Sequence, residues 1–311
     1  MSRALLGLAA VGAVAACSPP PDMSGIAKEQ AAPFHRYDVI RSLAANGEVV
    51  VAGLDDGAVA VSRDGAQTWE RVSVPNASMI ALDTCPDGSF VGLDFYHRIW
   101  NAAPDAKSWQ SEPLESQALA IDCAPDGRIW TVGSFSTIQV SSDKGKTWQT
   151  TDFGEDFQFT SVQFIDEQFG VAIGEFGVVY VTHDNGKTWE AKGPTPNEAY
   201  AYDGYFASSS EGWISGIGGL ILHTSDGGTT WQVQENQTKT PLYRLVTVEG
   251  KLYGVGARGV IAQLTGDAWT AVPYENQMPL ELEAATPLTG TQKLVVGGIG
   301  GLVRTVDSSA N

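Results

Sequence analysis

A unit of about 40 residues recurs seven times along this 311-residue chain, and no other feature limits the fold so strongly. Four segments follow closely the pattern Ser/Thr-x-Asp-x-Gly-x-Thr-Trp: Ser62 to Trp69, Ser141 to Trp148, Thr182 to Trp189 and Thr224 to Trp231. Weaker copies end at Trp109 and Trp269, so the six indoles are separated by 40, 39, 41, 42 and 38 residues. A seventh, decayed copy lies at Thr305-Val306-Asp307-Ser308-Ser309. A second marker keeps the same phase. Each unit has an apolar run ending at Gly53, Gly92, Gly133, Gly174, Gly216, Gly256 or Gly297, with another short apolar run soon after.

The unit reads as four short strands, A to D. In the fourth unit these are Thr160–Phe164, Gly170–Ile173, Val178–Thr182 and Thr188–Lys192. All are rich in Val, Thr and other strand formers and are bounded by Gly, Asp and Asn turns. Four antiparallel strands repeated at this period predict an all-β, seven-bladed β-propeller. A β-helix has shorter rungs, and a sandwich would not hold the period. The last unit has strands near Leu282–Ala284, Lys293–Gly297 and Leu302–Thr305 but no fourth. The segment 31–37 is expected to supply it, because an open ring exposes two sheet edges.

The repeated motif is an Asp-box (BNR repeat). Its Asp (Asp64, Asp143, Asp184, Asp226) accepts backbone hydrogen bonds within its own turn. Its Trp (Trp69, Trp148, Trp189, Trp231) is expected to wedge between blades. These are structural staples, with no metal or cofactor implied. The histidines at 35, 97, 183 and 223 have no metal-ligand spacing.

Residues 1–16 have a basic start, an apolar run and small residues, as a secretory signal does. Val14-Ala15-Ala16-Cys17 resembles a bacterial lipobox, which makes Cys17 the expected acylation site. Residues 17–32 have a linker composition, and 33–311 are assigned to the propeller. The expected address is a membrane-anchored lipoprotein facing the periplasm. Ser18, where an Asp would favour the inner membrane, points to the outer membrane. The net charge of -17 argues against nucleic acid as a partner.

The boxes lie at C–D turns, which leaves the B–C turns and D–A connections on the opposite face for a partner. Candidates there are Asp94, Phe95, Tyr96, His97 and Arg98, with Phe135, Phe176 and Arg258; Tyr200, Tyr202 and Tyr205 are similar. The aromatic ones either anchor a protein or plug the channel and pack between blades. The turn Asp94–Arg98 lacks the Gly seen elsewhere and reads as longer. Arg41 and Arg244 fall in strands A. Cys85 and Cys123 end strands A of adjacent units, one residue out of register. A disulfide and two separate buried thiols both fit this placement.

Sialidases share the Asp-box and supply the alternative reading, a glycosidase or carbohydrate-binding propeller. They resemble one another in a Phe-Arg-Ile-Pro-like entry, where this chain has Tyr37-Asp38-Val39-Ile40-Arg41-Ser42. The four boxes, the Gly-ended strand B and the strand C that follows are similar to those of the photosystem II stability/assembly factor family of cyanobacteria and chloroplasts. The similarity runs from about Phe34 to Asp307. It implies a seven-bladed propeller, lipid-anchored in cyanobacteria and without catalysis. It implies a newly made membrane protein as client, bound through a basic, Arg-containing surface; Arg41, Arg244 and Arg258, which could form a partial arginine cluster of the kind sialidases use, are kept as partner-binding candidates. A monomer is expected.

Overall fold

A computed structural model describes residues 23–47 and 49–308. Residues 1–16 and Cys17 lie outside the described residues. The chain divides after Ala32. Ahead of that point is a seven-residue helix, Ser24–Gln30, in the segment read as linker. Lys28, Glu29 and Gln30 are helix formers, a local preference that the linker composition concealed. No helix among the described residues is long and apolar enough to cross a membrane.

From Pro33 onward seven antiparallel sheets follow one another. Blades 1 to 5 start with strands A at Ser42–Ala45, Met79–Thr84, Ala118–Cys123, Phe159–Phe164 and Ala201–Phe206, and each has four strands in sequence order. Blade 6 starts with Leu242–Val248 and gains a fifth strand, Glu235–Asn236, parallel to its strand D (Ala268–Ala271). Blade 7 has three: Leu282–Pro287, Lys293–Gly298 and Val303–Asp307.

Strands B are mostly apolar, such as Val50–Gly53 and Ile129–Gly133, and are buried on both faces apart from the leading Lys251 and Lys293. That is the pattern of a strand covered by sheets on each side. Strands D are short and exposed; in blade 4 only Glu190–Ala191 pairs, less than the expected Thr188–Lys192, because the box turn takes up Thr188 and Trp189. The core is divided among seven apolar clusters, one at each seam between blades. The indole of each box faces back toward the preceding blade. Trp109 joins blades 1 and 2, Trp148 blades 2 and 3, Trp189 blades 3 and 4, Trp231 blades 4 and 5, and Trp269 blades 5 and 6. Trp69 packs at the seam of blades 7 and 1. Tyr253 and Val272 fill the seam of blades 6 and 7, where the decayed box supplies no Trp.

The recurrent Gly has a steric cause. Strand A carries a bulge opposite the end of strand B in blades 2 to 7. A Cβ at Gly133 would lie 2.0 Å from the Gln117 carbonyl oxygen, and one at Gly256 the same distance from that of Pro241. No side chain fits.

The expected closure by residues 31–37 is corrected. That segment is not a strand. Val39 makes a single bridge to Ile299 at the B–C turn of blade 7, while the Ile40 N–H donates to the Gly298 carbonyl. Asp38 folds the segment back by accepting the His35 N–H and a two-pronged contact from Arg71 (2.9 and 3.1 Å). The ring is closed by packing: Ile40, Leu43 and Val50 of the N-terminal side meet Ala284, Leu288 and Val295 of blade 7.

Candidate functional site

The four full boxes settle into identical turns. In blade 3, Asp143 Oδ1 accepts from the Ser141 hydroxyl (2.9 Å) and the Thr147 N–H (2.9 Å), and Oδ2 accepts from the Thr147 hydroxyl (2.7 Å). Hydrogen bonds led by the threonine hydroxyl hold Asp64, Asp143, Asp184 and Asp226 down to a pKa of about 2. The turn's own donors occupy these carboxylates.

The opposite face differs. Its B–C turns are equal in length, three residues between Asp94 and Arg98 as between Gly133 and Thr137 or Gly174 and Val178. The expected longer turn in blade 2 is therefore corrected: the difference is chemical, with Asp94 where blades 3 to 7 have Gly. Asp94 is buried and organises the turn. It accepts from the N–H groups of Tyr96 (2.9 Å) and Arg98 (3.0 Å), from Arg98 Nε (2.8 Å) and from Trp100 Nε1 (2.9 Å). Arg98 lies over the Trp100 ring, 5.0 Å from its centroid. Asp94 and Arg98 thus hold the loop while Phe95 and Tyr96 point outward, 61% and 60% exposed.

The middle position of the turn is occupied by Tyr96, Phe135, Phe176, Gly218, Arg258 and Gly300 in blades 2 to 7. Phe135, Phe176 and Arg258 sit there at φ of 55°, 55° and 57°, where blades 5 and 7 use glycine. A left-handed conformation costs a side-chain-bearing residue about 1–2 kcal/mol, and such strain concentrates at functional sites. In blade 2 the positive φ (59°) falls on His97, an exposed turn residue. Phe135 is 71% exposed and Phe176 58%, so neither plugs the channel. Tyr37, Phe95, Tyr96, Phe135, Phe176, Tyr200, Ile217 and Val233 are the exposed large apolar side chains described after residue 32. Five of these eight occupy B–C turns, and Tyr200 lies in a D–A connection.

Of these tips, Phe95 reaches the channel mouth, a cavity of 690 Å³ lined also by Arg41, Asp55, Tyr202, Tyr243 and Glu281. Arg41 bonds Glu283 at 3.0 Å. Tyr202 and Tyr243 meet edge to face at 5.2 Å. Burial, aided by a hydrogen bond to Glu281, pushes the Tyr243 hydroxyl up to about 12. Burial also raises Glu283; Arg41 opposes this, and Glu281 and Asp55 add to it.

Deeper in the channel, acids absent from the sequence-based candidates stitch the blades. Asp83 accepts from the Cys123 N–H (2.7 Å), Asp122 from that of Phe164 (3.0 Å) and Asp203 from that of Leu245 (2.9 Å). Burial and the charge of Asp83 hold Asp122 well above the usual carboxylate range. Arg244 lies 3.6 Å from Asp203. Their signal was an Asp at the same place in the strands A of blades 2 and 3, Asp83 and Asp122; Asp203 lies two residues earlier in its own strand. Tyr205 stacks on Trp213 and takes no part at the mouth. Cys85 and Cys123 are disulfide-bonded, with Cα atoms 5.0 Å apart. His35 lies with Asp38 and Asp56 in one cluster, but Arg71 contacts both carboxylates and takes the place of a cation there.

Seven blades, box staples and an aromatic turn face define the class: a seven-bladed Asp-box propeller with one apolar-tipped face. The chain belongs to the family described as photosynthesis system II assembly factor YCF48, whose model matches residues 33–193 and 181–311. Among solved structures, it is similar to YCF48 bound to a D1 peptide (16% identity, TM-score 0.69, 88% of this chain and 94% of that one). It is also similar to YCF48 from Cyanidioschyzon merolae (14%, 0.68, 88% and 97%). Virginiamycin B lyase from Staphylococcus aureus has the same fold (10%, 0.75, 87% and 95%). At these identities the likeness is one of fold. No curated protein matches the sequence.

Proposed function

We propose that this chain is a non-catalytic, protein-binding propeller that holds a segment of a membrane-protein client on its B–C and D–A face during assembly. One observation carries the reading: the exposed aromatic side chains gather on that face, two of them on strained backbone. Rigid aromatic anchors at the centre of a face are how a few residues supply most of a binding energy. Family membership and the likeness to YCF48 bound to a D1 peptide support the same reading. In this proposal Cys17 carries the lipid, the domain stands as a monomer on the periplasmic side of the outer membrane, and Phe95, Tyr96, Phe135 and Phe176 contact the client. Arg41, Arg244 and Arg258 act from the channel and its rim.

The test is crosslinking in intact cells followed by capture and mass spectrometry, comparing wild type with a Phe95→Ala/Phe135→Ala/Phe176→Ala variant. Crosslinks should map to the turn face and the variant should lose the client. Equal client recovery from both would remove this face from consideration. Cys17→Ser should release the protein from membranes.

A further inference from the structure

The channel mouth holds more negative charge than it neutralises. Arg41, Asp55, Asp94, Glu281 and Glu283 are its ionisable lining. Asp94 is taken up by Arg98 and Trp100, and Glu283 by Arg41. Asp55 and Glu281 remain, and no described cation forms an ion pair with either. One oxygen of Glu281, Oε2, is shielded from solvent and accepts no hydrogen bond among the described residues. Glu281 has the Tyr243 hydroxyl as a partner but no cation, and a partly buried carboxylate without one is costly, so an arriving cation would relieve it. The high-lying Tyr243 hydroxyl and the raised Glu283 are further signs of a negative field in the cavity.

The remaining wall is aromatic. Phe95, Tyr202 and Tyr243 line the same cavity as the two carboxylates. Carboxylates beside ring faces make a receptor for a guanidinium, which stacks on the ring while its planar fork bonds oxygen. A volume of 690 Å³ holds one long side chain with its flanking backbone. Arg41 on Glu283 already shows a guanidinium accommodated at the rim.

We propose that the client segment places an arginine side chain in this well, against Glu281 and Asp55, and lays its flanking apolar residues on the aromatic tips. This rests on the protein-binding reading and gives the chemistry of the partner. Because the well is acidic and the tips are apolar, the preferred segment is extended, apolar and singly basic.

Fluorescein-labelled nine-residue peptides test this by anisotropy on the full-length protein. One has a central arginine flanked by leucine and phenylalanine; its counterparts carry citrulline or glutamate at the centre. Citrulline keeps the shape and removes the charge. The arginine peptide should bind about tenfold or more tighter than the citrulline peptide. Glu281→Gln with Asp55→Asn should remove that margin and leave citrulline binding unchanged, with an unaltered melting temperature. Equal binding of arginine and citrulline, preference for glutamate, absence of binding by every peptide, or no effect of the double variant would each overturn the proposal. If the double variant still captures the client in cells and the triple aromatic variant does not, the arginine well is refuted and the docking face stands. If both variants capture it, both readings fall.

Discussion

Breaking the Cys85–Cys123 bond tests the seam between blades 2 and 3. The bond joins residues 38 apart. Restricting an unfolded chain by a loop of that length stabilises the native state by about 4 kcal/mol at 25 °C. The folded protein itself should change little. Asp83 already holds the Cys123 N–H across the seam, and Leu93, Ile99 and Ile121 pack around it. Both cysteines are buried, and alanine removes only one atom from each. The double variant Cys85→Ala/Cys123→Ala should therefore lose about 3–4 kcal/mol of unfolding free energy, and reduced wild type should lose the same. Guanidinium unfolding followed by both tryptophan fluorescence and far-ultraviolet dichroism measures it, coincidence of the two transitions licensing a two-state fit. An oxidised wild type and a double variant within about 1 kcal/mol of one another would refute the loop argument. Loss in the variant without loss on reduction would assign the effect to packing.

Trp269 is fully buried and donates to Gln234 (3.0 Å), so Trp269→Ala should cost about 3–5 kcal/mol by thermal or chemical unfolding. Gly133→Ala forces a Cβ against the Gln117 carbonyl and should lower the melting temperature, whereas Gly127→Ala meets open space and tests only the positive φ of 82°. The box carboxylates titrate at about 2 in the folded protein against 3.8 without their partners. A depressed folded pKa gives stability that is complete above about pH 4 and is lost as pH falls from about 4 toward 2. A Thr147→Val variant, with the Asp143 hydroxyl partner removed, should show a shallower loss over that window in acid unfolding; an unchanged acid profile would remove this box from the account.

The number of blades, the box staples and the gathering of the aromatic B–C turns on the face opposite the boxes were legible in the sequence, because indole and glycine recur at fixed phase and strand direction follows from the turns. Ring closure was not. The segment 31–37 has extended character, but its fold is set by Asp38 meeting Arg71, a contact between residues 33 apart that no local pattern reveals. The channel acids escaped for the same reason: no local pattern sets Asp83 and Asp122 apart until the strands A are brought around a common axis. Blade 2's turn looked longer because Asp94 replaced the expected glycine; counting from the paired residues of strand C removes the apparent insertion.

Equal turn lengths have an evolutionary consequence. The middle residue of each B–C turn projects from a frame whose seams it does not help to build, so under the proposed function substitutions at Tyr96, Phe135, Phe176 or Arg258 would alter recognition without touching the interior. Relatives can diverge in what they grip while keeping the same rotor, much as tool bits are swapped in one chuck.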